Sequence, residues 1–502
     1  MVVLKQTTSL CPKCGAILPA DVIEEDGKIY IVRECPEHGV RKDLYWSDAE
    51  MYKKFDVFEG IGSGIDNPQK EVVNGCPLDC GLCTNHKSGT LLGNIDLTNR
   101  CNLACDFCFA NAHACGYIYE PSFDEIVAMM QLLRDQKPVP APAVQFSGGE
   151  PTMRDDLCAI VKKAKEMGFS QIQIATNGIK IAQNPQYAKD LKDAGVCTLY
   201  LHFDGVTRQT NPLIKISKKV IEHCRTANLG VVLVPTIING RNDHEVGDII
   251  RFAADNVDVV RGVNYQPVAF TGAASADNVA KERVTIPDLA DRIEEQTGGV
   301  IKKDYFYPVP CVLPFSDLVE TYTGEPQVRF TTHQHCGAAT YGFVTEDGLV
   351  PINEMIDVDE FFEAVKQMAG KLNQGEGSLN KYKTLIEGIN DMRVSLKNNK
   401  VSSNTIFWKI IAQTLVKHDF AALRKFHWNA LFIGTMHFMD NYNYDTARVQ
   451  RCCIHYATPD GTLIPFCTYN SGPVYRETIW QKYAQPIVTK DDIVDPDTVS
   501  LS

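Results

Sequence analysis

LTNRCNLACDFCF, residues 97–109, and QFSGGEPTMR, residues 145–154, decide how the rest of the chain is read. The first stretch sets Cys101, Cys105 and Cys108 with three and then two residues between them, just past a strand-like run from Asn94 to Leu97. Three thiolates hold three irons of a 4Fe-4S cluster and leave the fourth iron free to chelate a small molecule. Zinc binding or plain burial is the alternative for such a triad. The second stretch speaks against it: Gly148 and Gly149 end the next strand without side chains, so that backbone is expected to approach a bound ligand, while Glu150 and Pro151 fix the turn.

Working outward, strands are expected at Asn94 to Leu97, Ala143 to Phe146, Gln171 to Ala175, Cys197 to Phe203, Val231 to Pro235 and Val259 to Asn264. Helical stretches lie between them: Asp124 to Arg134, Asp155 to Met167, Gln186 to Ala194, Ser217 to Ala227 and Asp243 to Ala254. Alternation of this kind predicts an α/β fold, an incomplete parallel barrel of six strand-helix repeats over residues 91–300. Ahead of it, residues 1–50 form a metal knuckle whose central DVIEEDGKIYIV predicts a hairpin at Asp26-Gly27, and residues 51–90 form a connector. From residue 301 to 502 the periodicity changes, and that segment is taken as a third domain.

The chain has 502 residues, 18 of them cysteine, and that length buries a core without disulfides. Thiols grouped at short spacing, after a start MVVLKQTTSL with no secretion signal, point to metal ligation in a reducing cytoplasm. Cys11, Cys14, Cys35 and His38 pair a C-x-x-C with a C-x-x-H knuckle, a set for one zinc or one iron. Cys76, Cys80 and Cys83 repeat the three-then-two spacing and suit an auxiliary cluster. Cys311, Cys336, Cys452 and Cys467 form a candidate C-terminal quartet, with Cys453 as substitute. A formal charge of -12 argues against a broad nucleic-acid surface. No apolar run is long enough to span a bilayer. Against that acidity, the segment from Asn404 to Phe438 combines helical apolar spacing with Lys409, Lys417, Arg424 and Lys425. Taken alone it is an ordinary amphipathic helix before it is a site for an anionic headgroup.

The C-x-x-x-C-x-x-C and GGEP motifs resemble the radical S-adenosylmethionine superfamily over roughly residues 91–265. That resemblance implies a radical SAM barrel in which an open iron binds S-adenosylmethionine and one electron cleaves it. It also implies cofactor-contacting strand ends at Gly148, Gly149, Glu150 and Pro151, at Asn177 in ATNG, His202 and Asp204 in LHFDG, and Asn239 in PTIINGRND. More finely, CPLDCGLCTNHKSGTLLG, TNRCNLACDFCFANA, TTHQHCGAATY and HYATPDGTLIPFC resemble the archaeal tetraether lipid synthases. That family implies a rubredoxin-like first site, from which His38 departs. It also implies three 4Fe-4S clusters in all, a C-terminal auxiliary-cluster domain, an archaeal diether lipid as substrate, and an electron donor such as ferredoxin. The expected reaction is coupling of unactivated methyl carbons of two lipid chains, with peripheral contact at the inner membrane face. Two other functions compete: radical SAM methyl transfer to a pterin or similar heterocycle, which needs a small polar pocket, and electron transfer without catalysis.

Overall fold

The six expected barrel strands form, at Leu92–Thr98, Ala143–Gly148, Gln171–Thr176, Thr198–His202, Gly230–Val234 and Val260–Pro267, each parallel to the next. The computed structural model describes residues 1–60, 62, 64–110, 116–274, 278–374, 430–472 and 475–485. Between the strands run helices Phe123–Arg134, Leu157–Glu166, Pro185–Ala194, Ile214–Ala227 and Val246–Asp255. The first starts on a reciprocal cap, with Ser122 and Glu125 each bonding the other's backbone N–H.

Each barrel strand has two chemically distinct faces. Ile95, Leu97, Val144, Phe146, Ile172, Ile174, Leu199 and Leu201 are buried in the main core with helix residues such as Met130, Ile160 and Val220. Each such side chain contributes about 1.5–3 kcal/mol. The alternate positions carry Asn94, Asp96, Gln145, Ser147, Gln173, Tyr200 and His202. Gln173 Nε2 donates to Gln145 Oε1 (3.0 Å), Gln145 Nε2 donates to Asn94 Oδ1 (3.0 Å), and Ser147 Oγ donates to Asp96 Oδ1 (3.0 Å). The inner surface of the sheet is therefore a ladder of amides, hydroxyls and carboxylate.

The segment after residue 300 does not stand apart from the barrel. Ala430–Met436 pairs in parallel with Val260–Pro267, and Ile454–Ala457 pairs in parallel with Leu92–Thr98, so both edges of the barrel sheet are extended by the C-terminal part of the chain. Gly337–Thr345 then continues one end antiparallel. Ala430–Met436 corrects the helical reading of Asn404 to Phe438 at its last residues. A strand wins there because the segment is hydrogen-bonded on both sides. The basic residues Lys409, Lys417, Arg424 and Lys425 lie outside the described residues, as does Cys115.

At the other end of the chain, Val2–Leu10, Ile17–Glu25, Lys28–Cys35 and Gly39–Trp46 make an antiparallel sheet in chain order. Its middle hairpin turns at Asp26 and Gly27, both at positive φ (52° and 72°), the conformation that Asp-Gly favours in a two-residue turn. Trp46, Tyr52 and Phe55 anchor this unit in the main core. Arg33 and Lys5 tie it to Asn441, Tyr442 and Asp445. No helix among the described residues is long and apolar enough to cross a membrane.

Candidate active site

The cysteine loop leaves the first barrel strand and is held from three sides. Asn99 donates to Tyr117 O (2.8 Å) and accepts from Tyr119 N (2.9 Å), and Arg100 forms a two-point ion pair with Glu120. Gly149 N donates to Thr98 O (2.7 Å) and Glu150 N to Arg100 O (2.8 Å). A Cβ on Gly148 would stand 2.2 Å from Thr98 O, and one on Gly149 would stand 2.3 Å from Arg100 O. The missing side chains of these glycines admit the cysteine loop's own backbone, a close approach that the sequence reading did not anticipate. On the far side Ala273 N donates to Cys108 O (3.0 Å), and Gly272 lies equally close to that loop.

The Cys101 thiol is pushed up by burial first, then by the Glu150 carboxylate and by the thiols of Cys105 and Cys108, so the three sulfurs share one neighbourhood. Glu150 is buried and fully used: it accepts from Thr152 N (3.0 Å), Thr152 Oγ1 (2.7 Å), Thr176 Oγ1 (2.7 Å) and Asn177 N (2.8 Å). Burial still raises its pKa against those donors. Pro151 begins the short helical turn Pro151–Met153. Asn177 donates to Asn102 Oδ1 (2.7 Å), which braces the cysteine loop from the third strand. His202 lies 3.1 Å from Asp204, whose carboxylate holds the imidazole protonated above its ordinary range. Both ends of the Asn239 amide are taken, by Lys281 O (2.7 Å) and Arg292 (2.6 Å).

Among the described residues, Cys11, Cys14, Cys35 and His38 are the one group of three or more His, Cys, Asp or Glu side chains whose ligand atoms all lie within 4.8 Å of one another. His38 Nδ1 lies 3.6 Å from Cys11 Sγ and 3.5 Å from Cys35 Sγ, and Cys14 and Cys35 sulfurs are 3.8 Å apart. Burial would raise the Cys11 thiol, but the backbone N–H groups of Cys14 and Lys13 bring it down to about 6. Four such donors fit one tetrahedral ion. Cys14→Ala is expected to remove about one equivalent of zinc or iron, read by elemental analysis of the purified chain; unchanged metal content would exclude the site.

The remaining cysteines converge from distant parts of the sequence. Cys76, Cys80, Cys452 and Cys467 border one apolar cluster, whose aromatic wall runs from Phe109 through Phe438 and Phe466 to Tyr456. Cys80 is pushed well up, first by the Cys76 side chain, then by burial, and Cys83 also acts on it. The Cys467 thiol is pushed up by burial, then by Cys452, and more weakly by Cys336. Cys311 does not join them. It lies in the turn Val309–Val312 ahead of helix Leu313–Thr323, which packs on Val358–Gln374, in a different apolar cluster, and its thiol is raised to about 12 by burial and then by Asp359. That removes Cys311 from the expected C-terminal quartet and leaves Cys336, Cys452 and Cys467 as its neighbouring members. The substitute Cys453 lies beside them, facing Ser88 and Thr331. Sequence reasoning missed the inner polar ladder, although Asn94-x-Asp96, Gln145-x-Ser147, Gln171-x-Gln173 and Tyr200-x-His202 alternate visibly.

Two family models match the chain: one described as Radical SAM superfamily over residues 95–253, and one described as HMPTM N-terminal zinc ribbon domain over residues 3–47. The chain is a member of the radical SAM superfamily. Within it, the chain belongs to the family of the 7,8-dihydro-6-hydroxymethylpterin dimethyltransferase of Methanocaldococcus jannaschii, to which it is 50% identical over 493 residues, covering 96% of each chain. A GTP 3',8-cyclase of Clostridium acetobutylicum is 31% identical over 241 residues, 43% of this chain and 73% of the cyclase. Crystalline methylornithine synthase overlaps 36% of this chain and 53% of its own at 17% identity, with a TM-score of 0.28, too loose to carry weight. The end-to-end match overturns the expected lipid-coupling activity, since that relative is named for methyl transfer to a pterin.

Proposed function

We propose that the chain is a radical SAM methyltransferase acting on a reduced pterin or a heterocycle close to it. The observation that carries this reading is the 50% identity over nearly the whole length to a pterin dimethyltransferase. The inner face of the barrel supports it. Asn94, Gln145 and Gln173 line it with amides, the kind of donors and acceptors that a flat, hydrogen-bonding ring system needs, on the sheet that ends in the cysteine loop.

In this reading Cys101, Cys105 and Cys108 hold the cofactor-cleaving cluster. The triads Cys76, Cys80, Cys83 and Cys336, Cys452, Cys467 hold auxiliary clusters, giving three in all, and the N-terminal ribbon holds a single ion. When bound, a 4Fe-4S cluster with an open iron supplies the electron that cleaves S-adenosylmethionine to methionine and a 5'-deoxyadenosyl radical. Glu150, Asn177, His202 and Asp204 shape and charge the rim where that cofactor would lie. The electron comes from an external donor such as a ferredoxin.

The test is anaerobic incubation of the reconstituted full chain with 7,8-dihydro-6-hydroxymethylpterin, S-adenosylmethionine and reductant, followed by mass spectrometry. Expected products are a pterin heavier by one or two methyl groups, S-adenosylhomocysteine for the methyl groups delivered, and 5'-deoxyadenosine. Deoxyadenosine with unmethylated pterin, or recovery of an isoprenoid lipid and no pterin from the purified protein, would overturn the assignment.

A further inference from the structure

The described residues include six buried arginines: Arg33, Arg154, Arg283, Arg448, Arg451 and Arg476. Five of them have a carboxylate within ion-pair distance, namely Asp43, Asp156, Asp440, Glu59 and Asp96 for Arg33, Arg154, Arg283, Arg451 and Arg476. Arg448, only 1% exposed, has none among the described residues. The nearby Asp445 is committed to Lys5 Nζ (3.2 Å), Thr7 Oγ1 (2.6 Å), Tyr45 Oη (2.9 Å) and Ala447 N (2.9 Å). A guanidinium cannot shed its charge, and burying it without an anion is costly.

What Arg448 touches instead is sulfur. Its Nε donates to Cys336 Sγ at 3.3 Å, its Nη2 donates to His437 O, and the Tyr45 ring lies 5.8 Å beneath it. Its Nη1 is buried with no hydrogen-bond partner. A neutral Cys336 thiol would leave the cation uncompensated, whereas a metal-bound thiolate, part of an anionic cluster, answers it. Inorganic sulfide is also an acceptor of the kind that the orphan Nη1 lacks.

We propose that Arg448 is the counter-ion of an iron-sulfur centre at Cys336, Cys452 and Cys467 and sets its reduction potential; this rests on the reading of those cysteines as a cluster site. Reduction adds one negative charge to the cluster. A fixed cation donating an N–H to a cluster thiolate favours the reduced form and raises the potential. Arg448 is a positioning and tuning residue, since it makes no contact with the cysteine loop at 101–108.

The experiment is a potentiometric titration of the reconstituted full chain followed by electron paramagnetic resonance, with R448Q, R448K and C336S compared with the unaltered protein. In R448Q one cluster is expected to show a ratio of reduced to oxidised form about tenfold lower at fixed potential, or about 59 mV for a one-electron couple. R448K, which keeps the charge, is expected to shift less than half as far on that scale, and the other clusters not at all. C336S should lower the iron and sulfide of that same centre. Full iron and sulfide in C336S would end the cluster reading and the proposal with it. Iron and sulfide lost in C336S with unmoved potentials in R448Q would overturn the role of Arg448 alone. Loss of the cluster in both R448Q and R448K would make Arg448 a structural residue and overturn it too.

Discussion

Cys105→Ala is expected to bring formation of 5'-deoxyadenosine down to the level of a protein-free control. Cys101 and Cys108 sit on either side of it in a loop whose backbone is pinned at Thr98, Arg100 and Cys108 by hydrogen bonds of 2.7–3.0 Å, which holds the remaining two thiols in place. Two thiolates do not retain a cluster that needs three. The measurement is anaerobic turnover of S-adenosylmethionine with dithionite, alongside iron content. Cys224→Ala is the control. That thiol is buried in the main core, far from the motifs, and raised to about 12 by burial alone. Its loss should cost about 1 kcal/mol of stability and leave cleavage intact. Cleavage at the normal rate in Cys105→Ala would remove this loop as the site of radical formation.

The barrel was legible because its information is local. Each strand is a short run of alternating apolar and polar or small residues, rich in β-branched side chains and ending in a turn, and the helices between carry their own signals, such as the cap at Ser122 and Glu125. The knuckle was legible for the same reason, since Asp26-Gly27 and the paired Cys and His spacings are complete within 40 residues. The edges of the sheet were not. Ala430–Met436 pairs with a strand more than 160 residues earlier, and Ile454–Ala457 with one more than 350 residues earlier. Nothing in ALFIGTM or IHYA names those partners. Grouping of the C-terminal cysteines failed at Cys311 because spacing fixes ligand sets only within one motif. Whether a distant thiol turns toward or away from the others depends on the helix that follows it. The finer functional expectation failed where motif order alone was asked to name a substrate. Motif order identifies the radical apparatus, while a substrate is chosen by side chains outside the cysteine motifs, and the amide ladder of Asn94, Gln145 and Gln173 is one such set that no cysteine pattern specifies.

Gly149→Val is expected to abolish S-adenosylmethionine cleavage without touching any ligand. The added Cβ would lie 2.3 Å from Arg100 O, 2.7 Å from Asn99 O and 2.8 Å from Arg100 C, all backbone atoms that cannot rotate away. The GGEP turn and the cysteine loop must therefore separate, breaking the bonds from Gly149 N to Thr98 O and from Glu150 N to Arg100 O. Overpacking of this kind costs about 1–3 kcal/mol, which a chain of this size can absorb while the local geometry fails. Gly148→Ala should act similarly, with the added penalty of φ at 126°, a region that only glycine adopts readily. Gly370→Ala, in helix Val358–Gln374 with nothing within 4 Å of the new methyl group, should retain full cleavage and gain up to about 1 kcal/mol of stability. Circular dichroism and thermal melting separate local failure from unfolding: Gly149→Val should keep its secondary structure and N-terminal metal while losing the iron of one cluster. If it instead cleaves S-adenosylmethionine normally, the two loops are not held in contact, and the geometry that brings Glu150 beside Cys101 is not what organises the site.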